Sequence, residues 1–181
     1  MMFKQLLSRC TMSDINSKLF NKIPMIKKLV KSVMEANCEH PPVFFTSSED
    51  EKIEVKPVAF RNNRDKDNVM SDMKARIQNG SVKEYVFVAE SWCLESEKGG
   101  VEKAFDEYGS VANHPLRKEI MLMQYSSVKE EILYKADIIR SGDNVSLGEW
   151  ETFSTKPTDK KASTNSGRFN DMFGKAMAEF N

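Results

Sequence analysis

Apolar residues recur at Ile15, Leu19, Ile23, Ile26, Val30 and Val33, in steps of three or four, behind the capping candidates Ser13 and Asp14. That spacing is one face of an α-helix. Leu29 and Met34 join the same arc while Lys27, Lys28 and Lys31 fall on the opposite side, so the segment predicts an amphipathic helix. Pro24 has no amide to donate, which predicts either a kink or a short first helix followed by one starting near Ile23. His40-Pro41-Pro42 closes the segment.

The period then changes. Val43 to Thr46 and Ile53 to Phe60 are rich in β-branched and aromatic residues and flank the polar SSEDE, which predicts two strands and a turn. Pro57 cannot donate to a ladder, so the second strand belongs at an edge or carries a bulge. A polar loop leads to a second helix with Asp67 as its cap, Val69, Met70, Met73 and Ile77 as its apolar stripe and Gly80 as its stop. This helix is expected to cover one sheet face.

Glu84 to Cys93 is the most strand-like segment, with Tyr85, Phe87, Ala89 and Ser91 on one face and Val86, Val88, Glu90 and Trp92 on the other. Two largely apolar faces predict a central strand. A long insertion follows, in which Val101 to Tyr108 is a short-helix candidate; such insertions are often functional or mobile. Glu119 to Tyr125, Glu131 to Ile139 and Val145 to Phe153, joined by short polar links, then predict an antiparallel meander.

After Phe153 the chain runs through STKPTDKKASTNSGR, which lacks large apolar residues and suits a linker. Beyond it Phe169, Met172, Phe173, Ala176, Met177 and Phe180 lie on one helical face despite Gly174. The pattern as a whole predicts an α+β fold. Its antiparallel sheet has about five to six strands, with an N-terminal amphipathic helix and a second helix packed on it, and a C-terminal tethered helix. The expected division is an N-terminal extension over 1–12, one domain over 13–155, a linker over 156–168 and a short amphipathic helix over 169–181.

A length of 181 residues, 40% hydrophobic and 30% charged, agrees with one packed domain plus appendages. The longest apolar runs, Tyr85 to Ala89 and Ile120 to Met123, fall far short of a bilayer span, so no membrane partner is expected. The opening MMFKQLLSRCTM is basic, but Leu6-Leu7 is too short for a secretory core, and Met12 offers a second start. Cys10, Cys38 and Cys93 are odd in number and lack metal-ligand spacing, which suggests the cytoplasm.

The 27 basic and 27 acidic residues cancel, yet unevenly along the chain. Residues 39–155 carry 15 basic and 22 acidic side chains and so stand at −7, while both ends are basic. Such ends can meet nucleic acid or dock on their own acidic body, and docking is the expected reading.

No phosphate-binding glycine loop, nucleophile elbow, HExxH or calcium loop is present, and no cofactor or metal is expected. Glu90 stands among apolar neighbours on its strand, where a carboxylate needs a partner. Arg117, entering the neighbouring strand, is the expected structural ion-pair partner. The sharper alternative makes Glu90, His114 and Glu119 converge as metal ligands or as acid and base. EYVFVAESW followed after a loop by HPLRKEIMLM resembles a pattern in small uncharacterised phage and bacterial proteins, over residues 84–125. The resemblance implies one structural unit holding Glu90, Trp92, His114, Arg117 and Glu119, and no activity.

The resulting expectation is a non-enzymatic, phage-type accessory or inhibitor protein in the cytoplasm, the host's if the chain is viral. It would bind a protein partner, or a second copy, through Phe169, Met172, Phe173, Met177 and Phe180. The 95–113 loop is a second candidate contact. One alternative is a small metal-dependent enzyme using Glu90, His114 and Glu119. The other is a nucleic-acid-binding protein using Lys27, Lys28 and Lys31, although a lysine-rich solvated helix face is the commoner finding.

Overall fold

The computed structural model describes residues 19–36, 40–50, 52–94 and 106–155, together with Lys103. The extension over 1–12, the linker and the helix expected over 169–181 lie outside these residues, as does the start of the first helix.

Leu19–Lys22 forms a turn of 3-10 helix that runs into helix α1, Ile23–Glu35. Pro24 therefore sits in the first turn, where a missing amide costs no helical hydrogen bond. Of the two outcomes predicted for Pro24, this is the short helix followed by one starting at Ile23. The turn is capped from a distance, because Glu84 Oε2 accepts from the Leu19 amide at 2.9 Å while Oε1 accepts from the Tyr125 hydroxyl at 3.3 Å. Glu84→Ala removes both acceptors from a partly buried site and is expected to cost about 1–3 kcal/mol, read from urea unfolding.

Strands β1 (Val43–Ser47), β2 (Ile53–Pro57), β3 (Glu84–Cys93), β4 (Lys118–Ser127), β5 (Glu131–Ser141), β6 (Asn144–Leu147) and β7 (Glu151–Thr155) form a seven-stranded sheet. Its order is β2-β1-β3-β4-β5-β6, with β7 also on β5, and every pairing is antiparallel. β3 lies inside the sheet between β1 and β4, as its two apolar faces require. β2 is an edge and ends at Pro57, short of the Phe60 expected from composition.

The predicted strand Val145 to Phe153 is divided. Ile138 pairs with Leu147, but Lys135 pairs with Glu151, so one extra residue enters between the two ladders. That is a bulge. The Gly148 amide keeps a bond to the Asp137 carbonyl there at 2.9 Å. Gly142, at φ 58°, makes the tight turn between β5 and β6.

Helix α2 spans Asn63–Gln78, and its cap is Asn62 rather than the expected Asp67. Asn62 is extended and its side chain accepts from the Asp65 amide at 3.0 Å, while Asp65 accepts in turn from the Arg61 amide at 2.9 Å. This arrangement satisfies one first-turn donor and the amide just before the cap, five residues earlier than the expected Asp67. Gly80, at φ 78°, follows the last turn as predicted.

The two helices divide the faces. α1 and the turn before it bury Leu19, Ile23, Ile26 and Val30 against Val86 and Val88 of β3 and their neighbours on β4 and β5. α2 buries Met73 and Ile77 against Phe44, Tyr85 and Phe87 on the opposite face. Lys56 with Asp72, at 3.1 Å, and Arg76 with Glu54 tie α2 to the β2 edge. Among the described residues no helix is long and apolar enough to cross a membrane.

Candidate functional site

Alternation carries Val86 and Val88 under α1 and then, beyond the core, places Glu90 and Trp92 on the same face of β3. In the β3–β4 register Trp92 faces Glu119 and Glu90 faces Met121. β5 delivers Arg140 to that face by the same period, following Ile132, Tyr134, Ala136 and Ile138. One end of the sheet thus changes from an apolar core to a charged cluster.

Arg140 is its centre. Nε and Nη2 donate to the two Glu119 oxygens at 2.7 and 2.6 Å, a two-pronged grip, and Nη2 lies 3.4 Å from Glu90 Oε2. The grip holds the Glu119 carboxyl below its ordinary range, hydrogen bonding from Arg140 being the main cause. Glu90 and Glu119 are therefore brought together, around a guanidinium. Arg117 has its guanidinium 4.7 Å from the centre of the Trp92 ring, a cation–π contact, and its Nη1 donates to the His114 carbonyl at 3.3 Å.

His114 belongs to the turn that feeds β4. Its Nδ1 accepts from the Leu116 amide at 3.1 Å, its carbonyl accepts from the Arg117 amide at 3.2 Å, and its ring meets Tyr108 edge-on at 4.7 Å. Leu116, in the same turn, is 75% exposed, and Trp92, under the Arg117 guanidinium, is 43% exposed. Residues 106–108 form a helical turn within the 101–108 segment; the rest of that candidate, apart from Lys103, lies outside the described residues. Among the described residues no group of three His, Cys, Asp or Glu is placed to hold a metal ion.

The lysines of α1 have separate fates. Lys27 Nζ sits 3.9 Å from the Tyr134 ring centre and 5.4 Å from that of Trp150, with its pKa lowered by desolvation. It lies against aromatic side chains rather than on the fully polar side its spacing suggested. Lys31 reaches Glu35 at 3.8 Å, and Lys28 is exposed. Phe169, Met172, Phe173, Met177 and Phe180 lie outside the described residues.

Over residues 6–167 the chain matches the family model of bacteriophage lambda protein ea47. The chain belongs to the ea47 family. The match to ea47 runs well beyond residues 84–125, on which the resemblance to phage and bacterial proteins was drawn, and takes in both helices and all seven strands. No curated protein and no solved structure matches the chain.

Arg140 is the member of the site that motif reading missed. Its signal was the alternation Ile132, Tyr134, Ala136, Ile138, Arg140, which puts a cation at the end of an apolar row.

Proposed function

We propose that this ea47-family chain is a non-enzymatic phage accessory protein. It binds a protein partner in the host cytoplasm through the sheet-end surface of Trp92, Leu116 and Arg117. The observation that carries this reading is the exposure of Trp92 and Leu116 around a stacked guanidinium, on a strand and turn anchored in the sheet. Tryptophan and arginine are the residue types that dominate binding energy at protein interfaces. A surface built on paired strands also loses little freedom when it docks. Arg117 and the exposed Lys118 suit a partner that presents carboxylates beside an apolar side chain.

Engagement of both carboxylates by Arg140 favours this reading over the enzyme that Glu90, His114 and Glu119 suggested. A carboxylate gripped by a guanidinium is a poor proton donor, and no substrate is needed to explain it. The nucleic-acid reading is weakened by the placement of Lys27 over Tyr134 and of Lys31 beside Glu35. It would require affinity that falls steeply with salt.

The test is a photo-crosslinking residue placed at Leu116, and separately at exposed Val128, in infected cells. Capture of one protein from position 116 but not from 128, lost in Trp92→Ala, is the expected result. Equal capture from both positions would overturn the assignment of the surface.

A further inference from the structure

The two edges of the sheet differ. On one side β6 and β7 share β5, and the bulge between them breaks the row of backbone groups. On the other side β2 ends the order, and among the described residues no strand pairs with its outer side. One bond just past the ladder fixes how its backbone faces. The Val58 amide donates to the Pro42 carbonyl at 2.8 Å, in line with the Val43–Pro57 register. Hydrogen bonding alternates along an antiparallel pair, so Lys56 and Glu54 bond to Phe44 and Thr46 of β1. Ile53 and Val55 therefore turn amide and carbonyl outward, and Pro57 its carbonyl. On the α1 face Ile53 and Val55 are half-buried against the core. Glu54 and Lys56 stand exposed on the α2 face, where Arg76 and Asp72 hold them.

We infer that two copies of this chain join along β2, antiparallel and centred on Val55, into one continuous sheet. The inference does not rest on the partner-binding reading. A short edge strand with a proline and charged side chains discourages pairing with a strand of arbitrary sequence. The same features fit a second copy. When Ile53–Pro57 overlaps itself fully, Val55 faces Val55 and exchanges both hydrogen bonds, and each Ile53 amide donates to the Pro57 carbonyl of the other copy. The missing proline amide then leaves only the Ile53 carbonyl, at the end of the ladder, to water.

Charge selects this register. At full overlap Glu54 faces Lys56 in both directions, an opposite-charge pair across the close, non-hydrogen-bonded positions. A slip of two residues, which brings Ile53 opposite Val55, sets Glu54 against Glu54 and Lys52 against Lys56. On the other face Ile53, Val55 and Pro57 meet Pro57, Val55 and Ile53 of the other copy, which continues the apolar side of the sheet across the axis. The same patch serves both copies, so the contact closes as a two-fold dimer.

The test uses the full chain with Cys10, Cys38 and Cys93 replaced by serine, carrying either Glu54→Cys or Lys56→Cys. In the inferred register positions 54 and 56 of the two copies have Cα atoms about 4.5 Å apart, within disulfide reach. Position 54 and its own counterpart are offset by two residues and lie beyond the limit of roughly 7 Å, as do position 56 and its counterpart. Under mild oxidation an equimolar mixture of the two proteins is expected to form disulfide-linked dimers at least about ten-fold faster than either protein alone. Equal rates in the three samples would overturn the inference. Faster linkage of the Glu54→Cys protein with itself would overturn it too, by centring the contact on Glu54. The parent chain is expected to sediment as a dimer at about 0.1 mM, and a monomer at that concentration would contradict the pairing.

Discussion

Replacing Tyr85 with alanine is expected to lower the folding free energy by about 3–5 kcal/mol, the range for removing a large aromatic side chain from a core. Tyr85 is fully buried on β3, under α2, and meets Phe44 edge-on at a ring separation of 5.9 Å. Its hydroxyl accepts from Gln124 Nε2 at 3.4 Å, and the same amide donates to Glu131 Oε1 at 2.8 Å. Truncation therefore opens a cavity between the sheet and α2 and removes one partner of a buried amide. Tyr85→Phe keeps the ring and should cost only about 1 kcal/mol, because Gln124 retains Glu131. Urea unfolding of the two variants separates cavity from hydrogen bond. A Tyr85→Ala loss below about 1 kcal/mol, under the floor for such cavities, would mean that α2 does not close over β3.

The same strand shows how much of the fold was legible in the sequence. Tyr85, Phe87 and Ala89 alternate with Val86 and Val88, and a strand that is apolar on both faces has to sit inside a sheet covered on both sides. The helices announced themselves by period, and Pro24 and Pro57 by their missing amides. The cap of α2 was misplaced because Asn62 and Asp65 act through a polar exchange that precedes the apolar stripe. The bulge between β6 and β7 had one local signal, Gly148 inside the strand pattern, but the extra residue itself appears only in the register with β5.

The candidate site was half legible. Glu90 demanded a partner because of the company it keeps on β3, but choosing among guanidinium groups needs the tertiary register. Arg117 is close to Trp92 in the fold and stacks on it, while Arg140, fifty residues from Glu90, arrives from β5. His40 gave no functional signal at all. It follows α1, in a segment that reads from sequence only as a break.

His40 carries the second large effect. It is buried, and desolvation pushes its pKa down from 6.5 to about 4. The unfolded chain then takes up a proton more readily than the folded one. The contribution is fully present above pH 6.5 and is lost as the pH falls from there through about 4. By proton linkage the loss is about 3 kcal/mol. Carboxylates also titrate in this window, so the informative quantity is a difference. His40→Gln, which keeps a polar side chain without the proton, should lose about 3 kcal/mol less than the parent chain between pH 6.5 and 4. Parallel stability curves for the two proteins would contradict the burial of a neutral imidazole.

The proposed sheet-end binding surface has a quantitative test. With the protein captured by the crosslinker at position 116 in hand, its affinity is measured for the parent chain, Trp92→Ala, Arg117→Ala and Lys129→Ala, the last a control at the far β4–β5 turn. Losses of about 30-fold or more for Trp92→Ala and Arg117→Ala, the scale of interface hot spots, with little change for Lys129→Ala, are predicted. Unchanged affinity in the first two variants, each folded as judged by its unfolding curve, would contradict the account.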